Sequence, residues 1–517
     1  MKHTYRNRFH RIFLLIAFLS FWSCDMDLEE EVYSAETSEN FYQNEDQVMS
    51  AYVMPYAFMQ NLYDGGHFAL QELSTDEVVA PTRNGYEDQN GAWVRLHRHT
   101  WTSSDVWILY EWQNLFQAIG YSNYFLDAME ENDLSGMDLP ISKEQMIAEI
   151  KLVRALHYYW ALSTFGNVPI VTSVGESSPA IKSREEVFAF VENEIIENIP
   201  QLGEKGDINW YGHFTKSAAY ALLAKLYMNA EVFTGSPRWQ DAIDAIDNVM
   251  AANYSLDPDW STPFLVNNEN SNENILVVPF DGSNATGFNF AEQNLHEEIL
   301  FAKYNVEYYG WHKYSSQESF FNLFSENDER IEQWVVGPQT FINEAGEEEP
   351  IWSWYGYEMV VTPEITALQS DNTGWDQGAM SIKYEVEVGG LNNMSNDMVI
   401  FRLADMMLLK AEALMRLNGG AATQEAVSLV NQVRARNFES DDPNATYNTS
   451  SLSLDELIDE RGRELAYEMH RREDLIRFGM FNDQWWEKEA SEEYRQLFPI
   501  PATVLTANPA LEQNPGY

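Results

Sequence analysis

The chain has 517 residues, 45% hydrophobic and 14% aromatic, with 81 acidic against 32 basic residues and a formal charge of −49. That length allows one large domain or two to three smaller ones, with a sizeable core. A field this negative repels phosphate backbones and anionic headgroups, which excludes nucleic-acid binding.

Lys2, Arg6, Arg8 and Arg11 precede an apolar run at residues 12–22. The run is too short to span a bilayer but suits a secretory signal, so residues 1–23 are expected to be removed. Cys24 is the sole cysteine and follows directly. It cannot form an internal disulfide, and its position after small Ser23 marks it as a lipoprotein acylation site. Phe21 and Trp22 are bulky for such a cleavage signal. Several acyl chains on Cys24 would anchor the protein stably. Residues 24–40, opening Asp25-Met26-Asp27-Leu28-Glu29-Glu30-Glu31, read as an unpacked acidic tether. No later apolar run approaches 18 residues, so no second membrane span is expected.

The remainder, 41–517, reads as a single domain: a helical scaffold at 41–252 and 399–517, and an insertion at 253–398. A helix at 41–63 is interrupted near Pro55. A long irregular stretch follows, with Arg83, Tyr86, Asp88, Trp93 and Trp101 among Gly, Asn and Ser. Helices are predicted at 105–129, at 141–165 (stopped by Gly166 and Pro169) and at 185–199. Residues 215–233 and 239–251 form a hairpin. Within 253–398 helical periodicity fades, and short β-like runs such as Ile275-Leu276-Val277-Val278 alternate with loops rich in Asn, Gly and aromatics.

Residues 399–437 read as two antiparallel helices, the organising hairpin of the core. Arg402, Asp405, Glu412 and Arg416 share one narrow stripe of an otherwise apolar first helix, which must be covered on several sides. Gly419 supplies the left-handed cap, and Thr423 caps the second helix. A last long helix starts at Ser453, with Glu456 completing a capping box and Leu452–Leu457 a hydrophobic staple. It is predicted to run through Ile476, with Arg461–Glu464 and Glu468–Arg472 as pairs along one side. The Pro- and Asn-rich tail should be extended. The two hairpins have similar size and pattern, which predicts a mainly α fold of tetratricopeptide-like stacked helix pairs.

RALHYYWALSTFGNVPIV (154–171), FTKSAAYALLAKLYMNA (214–230), FRLADMMLLKAEAL (401–414), LVNQVRARN (429–437), ERGRELAYEMHRREDLIRFG (460–479) and FPIPATVLTANPALEQNPGY (498–517) occur in register. Together they resemble the SusD/RagB family of outer-membrane nutrient-binding lipoproteins. Met469-His470-Arg471 departs slightly from the family pattern. The resemblance implies four tetratricopeptide-like helix pairs carrying a variable insertion, and an outer-membrane lipoprotein facing the cell exterior. It also implies a SusC-like TonB-dependent transporter barrel as partner, and an oligosaccharide ligand delivered to it.

A solvent-facing aromatic ring can stack on a sugar's C–H face while nearby polar groups satisfy its hydroxyls. Residues 83–93, with Arg83, Tyr86, Asp88 and Trp93, have that composition. So do Tyr308, Tyr309 and Trp311, followed by His312-Lys313 where many family members carry Asn-Gly. Trp352 and Trp354, with Tyr355 and Tyr357, form a third candidate. A glycan, neutral in view of the acidic chain, is therefore expected. His97 and His99 make a weak metal pair, acidic loops such as 281–287 are weak candidates for structural calcium, and no cofactor is expected. No catalytic motif is present. The chain reads as a non-enzyme, against the alternatives of a glycoside hydrolase or a peptide-binding helical-repeat scaffold.

Overall fold

The computed structural model describes residues 42–63, 65–83, 90–176, 179–207, 210–370 and 372–517. The expected signal peptide, Cys24 and the tether lie outside them, as do Tyr86 and Asp88. The N-terminal scaffold holds α1 (Glu45–Ala57), α2 (His67–Glu72), α3 (Ala92–His97), α4 (Val106–Glu131), α5 (Lys143–Phe165), α6 (Arg184–Asn198), α7 (Lys216–Met228) and α8 (Trp239–Met250). The middle of the chain adds β1 (Asn274–Val278), α9 (Glu297–Tyr304), β2 (Thr340–Ile342) and β3 (Glu348–Pro350) among loops. Then come β4 (Met398–Arg402), α10 (Leu403–Leu417), α11 (Gln424–Ala435), α12 (Leu454–Leu465) and α13 (Arg471–Arg477).

The helices begin where the sequence supplies caps. Ser142, Ser183, Thr215, Thr423 and Ser453 each accept a backbone N–H three residues on, from Gln145, Glu186, Ala218, Ala426 and Glu456. Each such cap satisfies a donor that the first turn cannot. Helix α4 packs on α5 and α5 on α6; α7 packs on α8, α8 on α10, and α10 on α11 and α12. The fold is thus mainly helical, a stack of helix pairs. Leu408, Met415, Val427, Val430 and Leu457 close the core between α10, α11 and α12.

Several expected elements differ: Pro55 lies inside α1 rather than interrupting it, the tail holds a short helix at Ala502–Ala507, and two long helices change. Residues 398–402 are strand, not helix: β4 pairs antiparallel with β1, and all five residues are buried. A buried apolar run of this length has no periodicity that separates strand from helix, and the partner strand decides. The long terminal helix is broken at residues 466–470, where Tyr467 and Met469 adopt φ of 62° and 63°. Buried Glu72 and Glu77 hold the break, accepting the Met469 N–H at 2.6 Å and the Tyr467 N–H at 2.5 Å.

The charges along 460–477 also pair differently from the expectation. Arg461 meets Asp405 at 2.9 Å and Asp474 at 2.7 Å, rather than Glu464. Glu464 instead meets Arg402 at 2.8 Å, Arg330 at 2.9 Å and Arg436 at 2.7 Å. Glu468 meets Arg402 and Lys383, while Arg472 donates to the carbonyls of Ser163 and Gln496. Asp405 and Glu412 do bridge elements as expected, Glu412 through Arg477 at 2.7 Å. Burial alone would raise the Glu460 carboxyl, but Arg330, Arg463 and Arg434 overcome it and hold it at about 2.

Two predictions follow the buried charges. Arg402→Ala takes one buried cation from Glu273, Glu464 and Glu468 at once, and should cost about 3–5 kcal/mol in urea unfolding. Burial pushes the Glu72 carboxyl up to about 8, against the pull of the Met469 amide, Lys383 and Arg471. Its folded value lies above its unfolded one, so its stabilisation is complete at acid pH and is lost as pH rises through about 8. His97, His157 and His470, held near 4 by burial, act in the opposite sense only below their ordinary 6.5. Between pH 7 and 9 the wild type should lose about 1 kcal/mol more stability than Glu72→Gln, read from paired unfolding curves.

Candidate functional site: an aromatic surface on the insertion

Helix α9 organises this surface. His296 caps it through Nδ1, accepting the Glu298 N–H at 3.3 Å. Residues 310–312 lie directly on its first turn: the Trp311 N–H donates to the Glu292 carbonyl at 2.7 Å, and the His312 N–H to that of Leu295 at 3.1 Å. Gly310 permits the approach, because a Cβ there would stand 2.2 Å from the Leu295 carbonyl oxygen. The Trp311 indole N–H donates to Glu292 at 3.2 Å, which fixes the ring's azimuth.

A second group of rings arrives from β2 and β3, which pair antiparallel with Thr340 opposite Pro350. The chain leaves β3 into a tight hairpin, where Trp352 bridges Glu358 and the Ser353 N–H donates to Tyr357 at 2.9 Å. Helix α9 packs on β2 and Lys303 donates to Gln339 at 2.7 Å, so the hairpin sits beside the helix. Burial raises the Glu297 carboxyl, and a hydrogen bond from the Trp354 side chain pulls it the other way. Trp354 thereby meets the first turn of α9, while Trp311 is bonded to Glu292 just ahead of it. Tyr355 and Tyr357 stack at 6.4 Å with 9° between planes, and Trp375 lies edge-on to His296 at 6.0 Å.

The sequence candidates separate cleanly by burial. Tyr309, Trp311, Trp352, Trp354 and Tyr355 are between 53 and 69% exposed. Tyr308 is half-buried against the core. Arg83 and Trp93 are 2% and 4% exposed, so the expectation that they face a ligand is corrected. Arg83 donates to the carbonyls of His312 at 3.0 Å, Gly374 at 2.7 Å and Gln377 at 2.7 Å, and to Ser315 Oγ at 2.6 Å. It ties together three loops beneath the rings. Trp93 lies in α3, 4.6 Å from the Trp107 ring and 4.5 Å from Lys313 Nζ. Sequence reasoning missed the carboxylates Glu292, Glu297 and Glu298 beside the rings. The His296 cap followed by two acidic residues in a first helical turn was the signal for two of them.

His97 and His99 do not form a metal pair. His97 Nε2 lies 2.7 Å from the Trp486 carbonyl, and the two nitrogens of His99 meet Ser491 Oγ and the Ser74 carbonyl at 2.9 Å each. Asp281 Oδ1 accepts the backbone N–H groups of Ser283 and Asn284, so its own loop caps it.

Stacked helix pairs carrying a middle segment that presents open aromatic rings define a tetratricopeptide-like scaffold with an aromatic excursion. The model of the SusD family matches residues 250–517, and one described as "Starch-binding associating with outer membrane" matches residues 28–228. The chain belongs to the SusD family. It is 26% identical over 490 residues to the starch-binding protein SusD of Bacteroides thetaiotaomicron, covering 87% of this chain and 85% of that one. SusD-like protein P25 of Formosa agariphila is 25% identical over 571 residues, with 98% of each chain covered. A laminarin-binding SusD-like protein superposes with a TM-score of 0.70 at 22% identity, covering 92% of this chain and 100% of that one. Surface glycan-binding protein A of Bacteroides thetaiotaomicron, in complex with laminarihexaose, gives 0.70 at 19% identity over 91% and 99%.

The burial contrast is testable by thermal unfolding. Trp311→Ala and Trp354→Ala should change stability by less than about 0.5 kcal/mol. Trp93→Ala should cost about 3–5 kcal/mol, as expected of a buried tryptophan.

Proposed function

We propose that this protein is a non-catalytic glycan receptor, and that Trp311, Trp352 and Trp354, with Tyr309 and Tyr355, stack on the sugar rings of a neutral oligosaccharide. The observation that carries this reading is the set of exposed rings around α9, with Trp311 bonded to Glu292 and Trp354 to Glu297. Rings supply the flat apolar contact, and Glu292, Glu297 and Glu298 accept sugar hydroxyls. The same carboxylates oppose uronates and sulfated chains, since like charges brought together without a counter-cation repel. The names of the similar proteins, starch-binding and laminarin-binding, support a neutral glucan. Acylation at Cys24, placement on the outer membrane facing the exterior, and delivery of the glycan to a SusC-like TonB-dependent barrel complete the proposal. Family membership supports them.

Titration calorimetry on the detergent-solubilised protein with maltohexaose and laminarihexaose tests the reading. At least one should bind with little salt dependence, and Trp311→Ala/Trp354→Ala should weaken it about tenfold or more, or about 1.4 kcal/mol. Binding confined to polyanionic glycans and lost at high salt would overturn it. Release of reducing sugar from the bound glycan would restore the glycoside hydrolase alternative.

A further inference from the structure

We propose a second carbohydrate site, on the helical scaffold, in a pocket lined by Val53, Pro140, Asp207, Trp210, Tyr211 and His213. It takes a single neutral sugar unit or a chain end. Its volume is about 530 Å³, inside the range of small-molecule sites. None of its lining residues belongs to the insertion, so it is separate from the rings around α9 and does not rest on the reading of that surface.

The wall is aromatic and held in place. Trp210 and Tyr211 meet edge to face at 5.6 Å and 89°. The Tyr211 hydroxyl donates to Asp397 at 2.5 Å. The next residue, Gly212, has φ of 74°, and a Cβ there would strike the Pro279 ring at 2.6 Å. This left-handed step sets Tyr211 and His213 on successive sides of the turn. Lys205 Nζ lies over the Trp210 ring at 5.8 Å and closer, at 4.0 Å, over that of Tyr254, and donates to the Asn272 carbonyl. It therefore backs the Trp210 ring while its closer contacts are with Tyr254 and Asn272.

The floor carries the specific chemistry. Glu149 is buried and accepts hydrogen bonds from the Tyr52 hydroxyl, the Tyr56 hydroxyl at 2.9 Å and Gln145 Nε2 at 3.0 Å. His213 Nδ1 lies 3.0 Å from the same carboxylate oxygen that the two tyrosines use. Nδ1 is thus committed to the buried carboxylate, which leaves Nε2 as the nitrogen open to a ligand. The His213 side chain is 24% exposed at the pocket, and Nε2 has no partner among the described residues. Nε2 and the exposed Asp207 carboxylate therefore offer two polar partners beside the Trp210 ring. Sugar hydroxyls, which both donate and accept, on a ring with an apolar C–H face match that set.

The experiment uses Trp311→Ala/Trp354→Ala protein in detergent, to silence the insertion, with glucose, maltose and laminaribiose as probes. Saturation-transfer NMR should still show binding of at least one probe. Adding Val53→Trp, which fills the mouth from an exposed position, should weaken it about tenfold. Adding His213→Ala should do the same. Absence of transfer for all three sugars overturns the proposal, as does transfer unchanged by Val53→Trp. Transfer lost with Val53→Trp but kept with His213→Ala confirms the pocket and overturns the role of Nε2. Loss of hexaose binding in the double variant, with transfer retained here, confirms the two sites separately.

Discussion

A buried lattice of ions joins the middle of this chain to its helices. Arg402 lies at its centre, 2.7 Å from Glu273 and from Glu468 and 2.8 Å from Glu464. Arg330 and Lys383 reach in from the middle segment, Arg434 and Arg436 from α11, and Glu460 and Glu464 from α12. Desolvating so many charges is expensive, and replacing a buried pair by apolar groups is often neutral or stabilising. Here the ions also fix position. Apolar contacts tolerate small slides of one element on another, whereas a guanidinium shared among three carboxylates accepts only one arrangement. The insertion loops are largely irregular, and their orientation relative to the helices is set by these bonds.

The same logic recurs at smaller scale beneath the exposed rings. Arg83 gathers three loop carbonyls and a serine hydroxyl into one knot, and α9 packs against both ring-bearing segments. Side chains that bear on the aromatic surface are thus held by backbone carbonyls and carboxylates rather than by a sheet or long helix. A scaffold of this kind keeps its frame while loop sequence varies, because the fixed points are few and identifiable.

Much of the frame was legible in the sequence. Capping serines and threonines, Gly419 with φ of 67°, and the long apolar stripes placed most helices to within a few residues. The failures share one physical cause, a partner far away in sequence. Residues 398–402 become strand because β1 lies beside them. The helix expected through Ile476 breaks at Tyr467 because carboxylates from α2 and the turn after it capture two amides. Trp93 sat in a stretch whose composition suggested an open loop, and no local signal told that Trp107 and Lys313 would enclose it. At the candidate surface, the two later ring clusters were readable because Trp and Tyr in Gly- and Asn-rich loops have little core to enter. Their gathering around α9 was not, since it depends on Gly310 and on the β2–β3 hairpin.

The grip of Glu72 on the Met469 amide spans 397 positions of chain. Asn514, three residues from the end, likewise donates to the carbonyl of Phe165 across 349. Contacts of such reach come late, because closing a long loop costs entropy before any contact repays it. The helices near residue 72 and residue 165 are thus each pinned by segments that lie hundreds of positions further along, so a cleavage anywhere between would release both clasps at once.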